Sequence, residues 1–227
     1  MALDQSHVIQ AFIQLGILIF SLSLHEFGHA YVANRLGDPT AKMLGRLTIN
    51  PIAHADPIGT ILFPLIRFLY PGVLLFGWAK PVPVSPENFQ NPRRDGALVA
   101  AAGPTVNVLI ALVSLIALFI LGQTQFFGLN EANQNILWDF FKFFFWLNFA
   151  LAVFNLIPIY PLDGSWIIKA LLPGPLSYQY SRMDRWGIWI LIAGLYFGFL
   201  DYFFQPAIKG LVFVLNLAGL DHLTAML

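Results

Sequence analysis

The stretch Leu18–Leu36, "LIFSLSLHEFGHAYVANRL", sets two histidines and a glutamate in a run otherwise made for lipid. An ionisable group inside a bilayer is costly and is normally kept for function or for an internal partner. At 100° per residue, Gln10, Gln14, Ser21, His25, Gly28 and His29 fall within about a 100° arc, while leucine, isoleucine and phenylalanine fill much of the rest. The periodicity predicts one helix with a polar face turned into a bundle. His25 and His29, at i and i+4, stack on that face and can hold one Zn2+ between them. Glu26 projects about 100° away, close enough to meet a water on such a metal without being a ligand.

The rest of the chain carries the same lipid signature. Of its 227 residues 58% are hydrophobic and 11% charged, with a mean hydropathy of +0.70, far from the roughly one quarter charged residues of soluble domains. Apolar stretches recur at Val8–Leu24, Pro57–Trp78, Ala97–Leu121, Ile136–Ile159 and Trp186–Phe204, each near the ~20 residues a membrane-crossing helix needs. A shorter one, Pro206–Leu220, is expected to span or to lie in the interface. The first stretch lacks a basic leader and a small-residue cleavage site, and reads as mature protein rather than a signal peptide. Together these predict an all-α polytopic membrane protein forming a single domain over residues 1–227. The aromatic clusters, Phe126–Phe127 and "FFKFFFW" around Lys142, read as an interfacial belt with a snorkelling lysine.

Charge placement predicts topology. Nine of the 12 Lys and Arg residues fall in three groups, Arg35/Lys42/Arg46, Lys80/Arg93/Arg94 and Lys169/Arg182/Arg185, while Met1–Ser6 and Gly122–Asn135 have none. The positive-inside rule puts those groups in the cytoplasm. Pro57–Trp78 then has both ends on one side and contains Pro64, Arg67, Pro71 and Gly72. This favours a re-entrant hairpin broken near "RFLYPG" over a distorted spanning helix.

A chain without cysteine can hold a metal only through histidine and carboxylate, and a catalytic zinc normally takes three protein ligands with one position open. No third histidine follows at metzincin spacing, where Val32 and Arg35 stand. Among carboxylates, Asp38 and Asp56 lie in loop sequence. Asp163 ends the out-to-in segment in "NLIPIYPLDG", Asn155–Gly164, at the cytoplasmic depth that the charge rule also gives to the HExxH turn.

"HEFGH" at His25–His29, "GPTVN" at Gly103–Asn107 and "NLIPIYPLDG" at Asn155–Gly164, in that order, resemble the site-2 protease family of intramembrane zinc metalloproteases. "NPIAHADPIGT" at Asn50–Thr60 and "FGWAKPVPVSPENFQNPRRD" at Phe76–Asp95 are similar to its compact bacterial branch without PDZ or CBS domains. The resemblance implies a three-helix catalytic core plus peripheral helices. It implies one zinc per chain on His25, His29 and Asp163, Glu26 as general base, and a membrane protein with a transmembrane helix as substrate. Tyr160 stands where the family often has proline, a change expected to be neutral.

From those parts, zinc would acidify its water and polarise the scissile carbonyl, and Glu26 would move the proton. Asn107 and His54 are candidate oxyanion donors, Asn107 alternatively a helix–helix hydrogen bond. A substrate helix hides its carbonyls, so something must pair its unwound backbone. Leu47, Thr48 and Ile49 in "GRLTINP" alternate like a strand, and with "WAKPVPV" are expected to form a small membrane-associated β element whose edge takes the substrate. A multi-pass protein of the cell membrane follows, its active site toward the cytoplasm. No nucleic-acid module is found, and oligomeric state is not legible. The competing function is a non-catalytic zinc-binding membrane chaperone or transporter of the same fold.

Overall fold

A computed structural model describes residues 5–70, 77–122 and 131–224. Among the described residues all the regular structure is helical, without a strand. In order come α1 (Gln5–Arg35), α2 (Thr40–Met43), α3 (Pro51–His54), a π-helical turn (Pro57–Leu62) running into α4 (Phe63–Leu69), a 3-10 turn (Pro86–Asn88) and α5 (Pro92–Gly122). There follow α6 (Glu131–Asn155), α7 (Asp163–Leu171), α8 (Gly174–Ser181), α9 (Asp184–Tyr196), α10 (Asp201–Leu217) and α11 (Asp221–Thr224). Three described helices are long and apolar enough to cross a membrane, His7–Arg35, Pro92–Gly122 and Gln134–Asn155, and the chain is an integral membrane protein. The expected belt residues Phe126 and Phe127 lie outside the described residues.

The chain divides into two compact units, one ending at Asn107 and one starting at Val108. In the first, α1 runs unbroken because no proline or charge interrupts it between Gln5 and Glu26. It ends where Gly37 takes φ +106 and the Asp38 N–H donates to Ala33 O at 2.9 Å, a left-handed glycine closing the last turn. Asp38 then gathers the following loops. Its carboxylate accepts from Thr40 N (3.0 Å), Thr40 Oγ1 (2.5 Å), Ser85 N (2.8 Å) and Asn88 Nδ2 (2.7 Å). Asp56 caps the π-helical turn by accepting from Ile58 N and Gly59 N. Both carboxylates weighed as ligands beside Asp163 are therefore hydrogen-bonded elsewhere, Asp38 to groups of Thr40, Ser85 and Asn88 and Asp56 to local backbone.

Pro57–Trp78 does not run as one rod. The Trp78 N–H donates to Gly59 O at 3.0 Å, Thr60 Oγ1 donates to Trp78 O at 2.7 Å, and the Trp78 ring meets Phe63 edge-on at 5.5 Å. Its two ends touch, whereas a single crossing would hold them about 30 Å apart. The segment doubles back. The break expected at Pro71–Gly72 lies outside the described residues.

The β element is not found. Leu47 and Thr48 lie in a bend, because side chains take the backbone groups a ladder would need. His54 Nε2 pairs with Thr48 O (2.8 Å), Asn50 N donates to Thr48 Oγ1 (3.1 Å), and Asn50 Oδ1 caps α3 through Ile52 N (3.1 Å).

In the second unit, Ala111, Leu118, Phe145, Leu215 and Leu223 from α5, α6, α10 and α11 form one core. Ile157, Leu162, Leu191 and Leu200 form another, beneath the loop that follows α6. The expected stretch Trp186–Phe204 is two helices. Gly198 at φ +72 and the Phe199 N–H to Gly194 O bond end α9, and α10 leaves at a bend of 67°. Asp201 opens α10, where an acidic side chain suits the helix dipole, and Pro206 lies inside the helix, where it leaves the carbonyl of Tyr202 without its i+4 N–H. Pro206–Leu220 is thus the body of α10 rather than a separate short segment.

Candidate functional site

His25 and His29 sit on the buried stripe of α1, four residues apart, with Ser21 buried beneath them. Each imidazole is held from behind by α5. His29 Nδ1 meets Val99 O at 2.7 Å, and His25 Nδ1 meets Asn107 Oδ1 at 2.6 Å. Both partners are oxygens that only accept, so Nδ1 carries the proton in each ring and Nε2 carries the lone pair. The two Nε2 atoms face one another at 3.0 Å. Lone pairs at that distance repel unless a cation, a proton or a metal ion, lies between them. Two nitrogens about 2.05 Å from a tetrahedral zinc would be about 3.3 Å apart, so the pair fits a metal.

The motif "GPTVN" builds the wall behind the pair. A Cβ on Gly103 would lie 2.4 Å from His29 Nε2 and 2.6 Å from His25 Nε2, and one on Gly28 would lie 2.9 Å from Val106 Cγ2, so two glycines let α1 and α5 approach. Pro104 has no N–H for the carbonyl of Ala100 and loosens that turn of α5. Asn107 is wholly buried and closes the motif on His25. The helix–helix hydrogen bond weighed for Asn107 is what forms, and it ends on an imidazole.

Glu26 is buried beside the pair, and its Oε2 accepts the N–H of Val82 at 2.8 Å. Val82 belongs to an extended run in which Trp78, Lys80 and Val82 all donate inward, to Gly59 O, His54 O and Glu26. Arg46, buried, donates to Lys80 O at 2.6 Å and to Pro81 O at 3.4 Å. His54 is fully buried and its Nε2 donates to Thr48 O, which leaves Nδ1 as a buried acceptor. In that tautomer His54 offers no proton to an oxyanion.

Asp163 opens α7, half-buried, after the irregular loop Leu156–Leu162. The loop is held tightly. A Cβ on Gly164 would lie 2.2 Å from Leu156 O and one on Gly187 2.0 Å from Tyr160 O, so glycine is required where helices close on it. The Tyr180 hydroxyl donates to Pro158 O. Burial, then the charge of Asp184, pushes the Tyr180 phenol upward from its usual pKa of 10.0, which keeps that donor protonated. Tyr160 itself lies under the Lys169 ammonium (5.6 Å), which also pairs with Asp184 at 2.5 Å. Val82 and Tyr180 were not singled out in the sequence, and Gly103 entered only as the first residue of "GPTVN". For Val82 a signal existed, since Pro81-Val82-Pro83 leaves one N–H in three residues.

The profile of Peptidase family M50 matches residues 13–194. Relatives whose names carry the words "putative zinc metalloprotease" include YwhC and Rip2. YwhC of Bacillus subtilis is 41% identical over 177 residues, 77% of this chain and 76% of its own length. Rip2 of Mycobacterium tuberculosis (strain ATCC 25618 / H37Rv) is 29% identical over 209 residues, 90% of this chain and 73% of its own. A third, zinc metalloprotease MJ0392 of Methanocaldococcus jannaschii, is 30% identical over 168 residues, which span 74% of this chain but 37% of that protein. No solved structure matches. With the profile running from the middle of α1 through α9, and a relative of this identity matched over three quarters of both chains, the chain belongs to peptidase family M50, the site-2 protease family.

Proposed function

We propose that the chain is an intramembrane zinc metalloprotease that hydrolyses peptide bonds within or near the transmembrane segment of membrane proteins. The observation that carries this reading is the His25–His29 pair, both rings anchored through Nδ1–H with their Nε2 lone pairs converging, and a buried glutamate one residue on. The names of the relatives supply the metal, and two imidazoles with a carboxylate in a cysteine-free chain suit zinc. Asp163 is the third ligand in this reading, giving one zinc per chain and an open fourth position.

Zinc bound there would acidify a water and polarise the scissile carbonyl. Glu26 takes the attacking water's proton and returns it to the leaving amine. Asn107 fixes the His25 tautomer through its carbonyl, and its amide nitrogen is the proposed oxyanion donor. The site belongs toward the cytoplasmic face of the cell membrane, on the charge bias, and the doubled-back segment Pro57–Trp78 dips into the bilayer and returns.

Substitution separates the roles. Glu26→Gln should keep one zinc per purified chain and lose cleavage of a membrane substrate, while His25→Ala and Asp163→Ala should lose metal. Zinc lost on Glu26→Gln, or full occupancy on Asp163→Ala, would overturn the assignment.

A further inference from the structure

The peptide bond between Pro81 and Val82 lies between two buried charges. Its carbonyl faces the Arg46 guanidinium, which also holds Lys80 O, and its N–H donates to Glu26 Oε2. Pro81 and Pro83 have no N–H, so between them the Val82 amide is the backbone donor, and their fixed φ keeps the run extended. Lys80 N on His54 O and Trp78 N on Gly59 O fix the register that brings Val82, and neither neighbour, to the glutamate.

We propose that the Val82 amide, clamped from its carbonyl side by Arg46, is a positioning group for the general base. A carboxylate on a helix can rotate about its last torsion. A charge-assisted bond to Oε2 stops that rotation and leaves Oε1 as the oxygen that meets the water's proton. Arg46 acts through this peptide rather than by touching substrate, which accounts for a buried arginine that donates to two carbonyls. This rests on the reading of Glu26 as base.

The test replaces the Val82 N–H by an ester oxygen, using α-hydroxyisovalerate at position 82, with Val82→Pro as its genetic counterpart and Val82→Ala as the conservative variant that keeps the N–H. In the zinc-loaded protein, kcat for a membrane substrate should fall about tenfold to a hundredfold in the ester and in Val82→Pro, the range of a lost hydrogen bond to a charged group. KM and zinc content should hold, and Val82→Ala should restore kcat. Independently of activity, hydrogen exchange at the Val82 amide, isolated between two prolines, should be slow in the wild-type chain and quicken at least about tenfold in Glu26→Ala and Arg46→Met. Unchanged exchange in Glu26→Ala overturns the proposal, as does an ester with the kcat of Val82→Ala. A rise in kcat would make the segment an obstruction to substrate and also overturn it. Cleavage retained by Glu26→Gln would instead overturn the function proposed for Glu26, with the exchange result left intact.

Discussion

Gly103 has no chemistry of its own, yet its missing Cβ decides whether two imidazoles fit. Adding one methyl at 2.4–2.6 Å from both Nε2-side edges forces the rings apart, because the obstruction comes from the α5 backbone rather than from a side chain that could swing away. Gly103→Ala should therefore lower zinc content and cleavage together, while the helix itself gains propensity. Metal analysis beside a thermal melt checks this, and a variant with full zinc would show that α1 and α5 separate without harm. His25 and His29 were legible in the sequence because i, i+4 spacing is a local property. Their proton positions were not, since these depend on Val99 O and Asn107 Oδ1, 70 and 82 residues away along the chain.

At the scale of the element, Asp38 joins the end of α1 to the 3-10 turn Pro86–Asn88. Burial pushes its pKa upward, but the hydrogen bonds from the Thr40 hydroxyl, Ser85 N–H, Asn88 amide and Thr40 N–H outweigh it, and the net shift is below 3.8. A folded pKa below the unfolded one means the stabilisation is complete above about 3.9 and is lost as the pH falls through the lower folded value. In detergent, the wild-type protein should thus lose stability in that acid window. Asp38→Asn should be less stable at neutral pH and lose less there, as read from melting temperature against pH. The alternation at Leu47–Ile49 predicted a strand, and a bend formed instead, because His54 takes the Thr48 carbonyl and the Thr48 hydroxyl takes the Asn50 N–H, nearer partners than any second strand. Trp186–Phe204 likewise read as one apolar element, since hydropathy does not register a glycine entering positive φ.

For the whole molecule, the doubling back of Pro57–Trp78 predicts a topology that can be tested without any substrate. Cysteines placed at Lys42 and Arg93 in this cysteine-free chain should both be labelled from the cytoplasmic side. Labelling of position 93 from outside would restore a single crossing and place the Val82 run on the far face. Composition and hydropathy by themselves determined that this is a membrane protein, and helical spacing that His25 and His29 share one face, because both properties are written along neighbouring residues; the three motifs in order carried the resemblance to the family that the profile match shows. The tertiary structure alone decided which ring nitrogens carry lone pairs, that Glu26 is held by Val82 from 56 residues on, and that Asn107 serves His25. Those are contacts between distant segments, and although Pro81 and Pro83 single out the Val82 N–H as a donor, its acceptor is set only when the chain folds Glu26 against it.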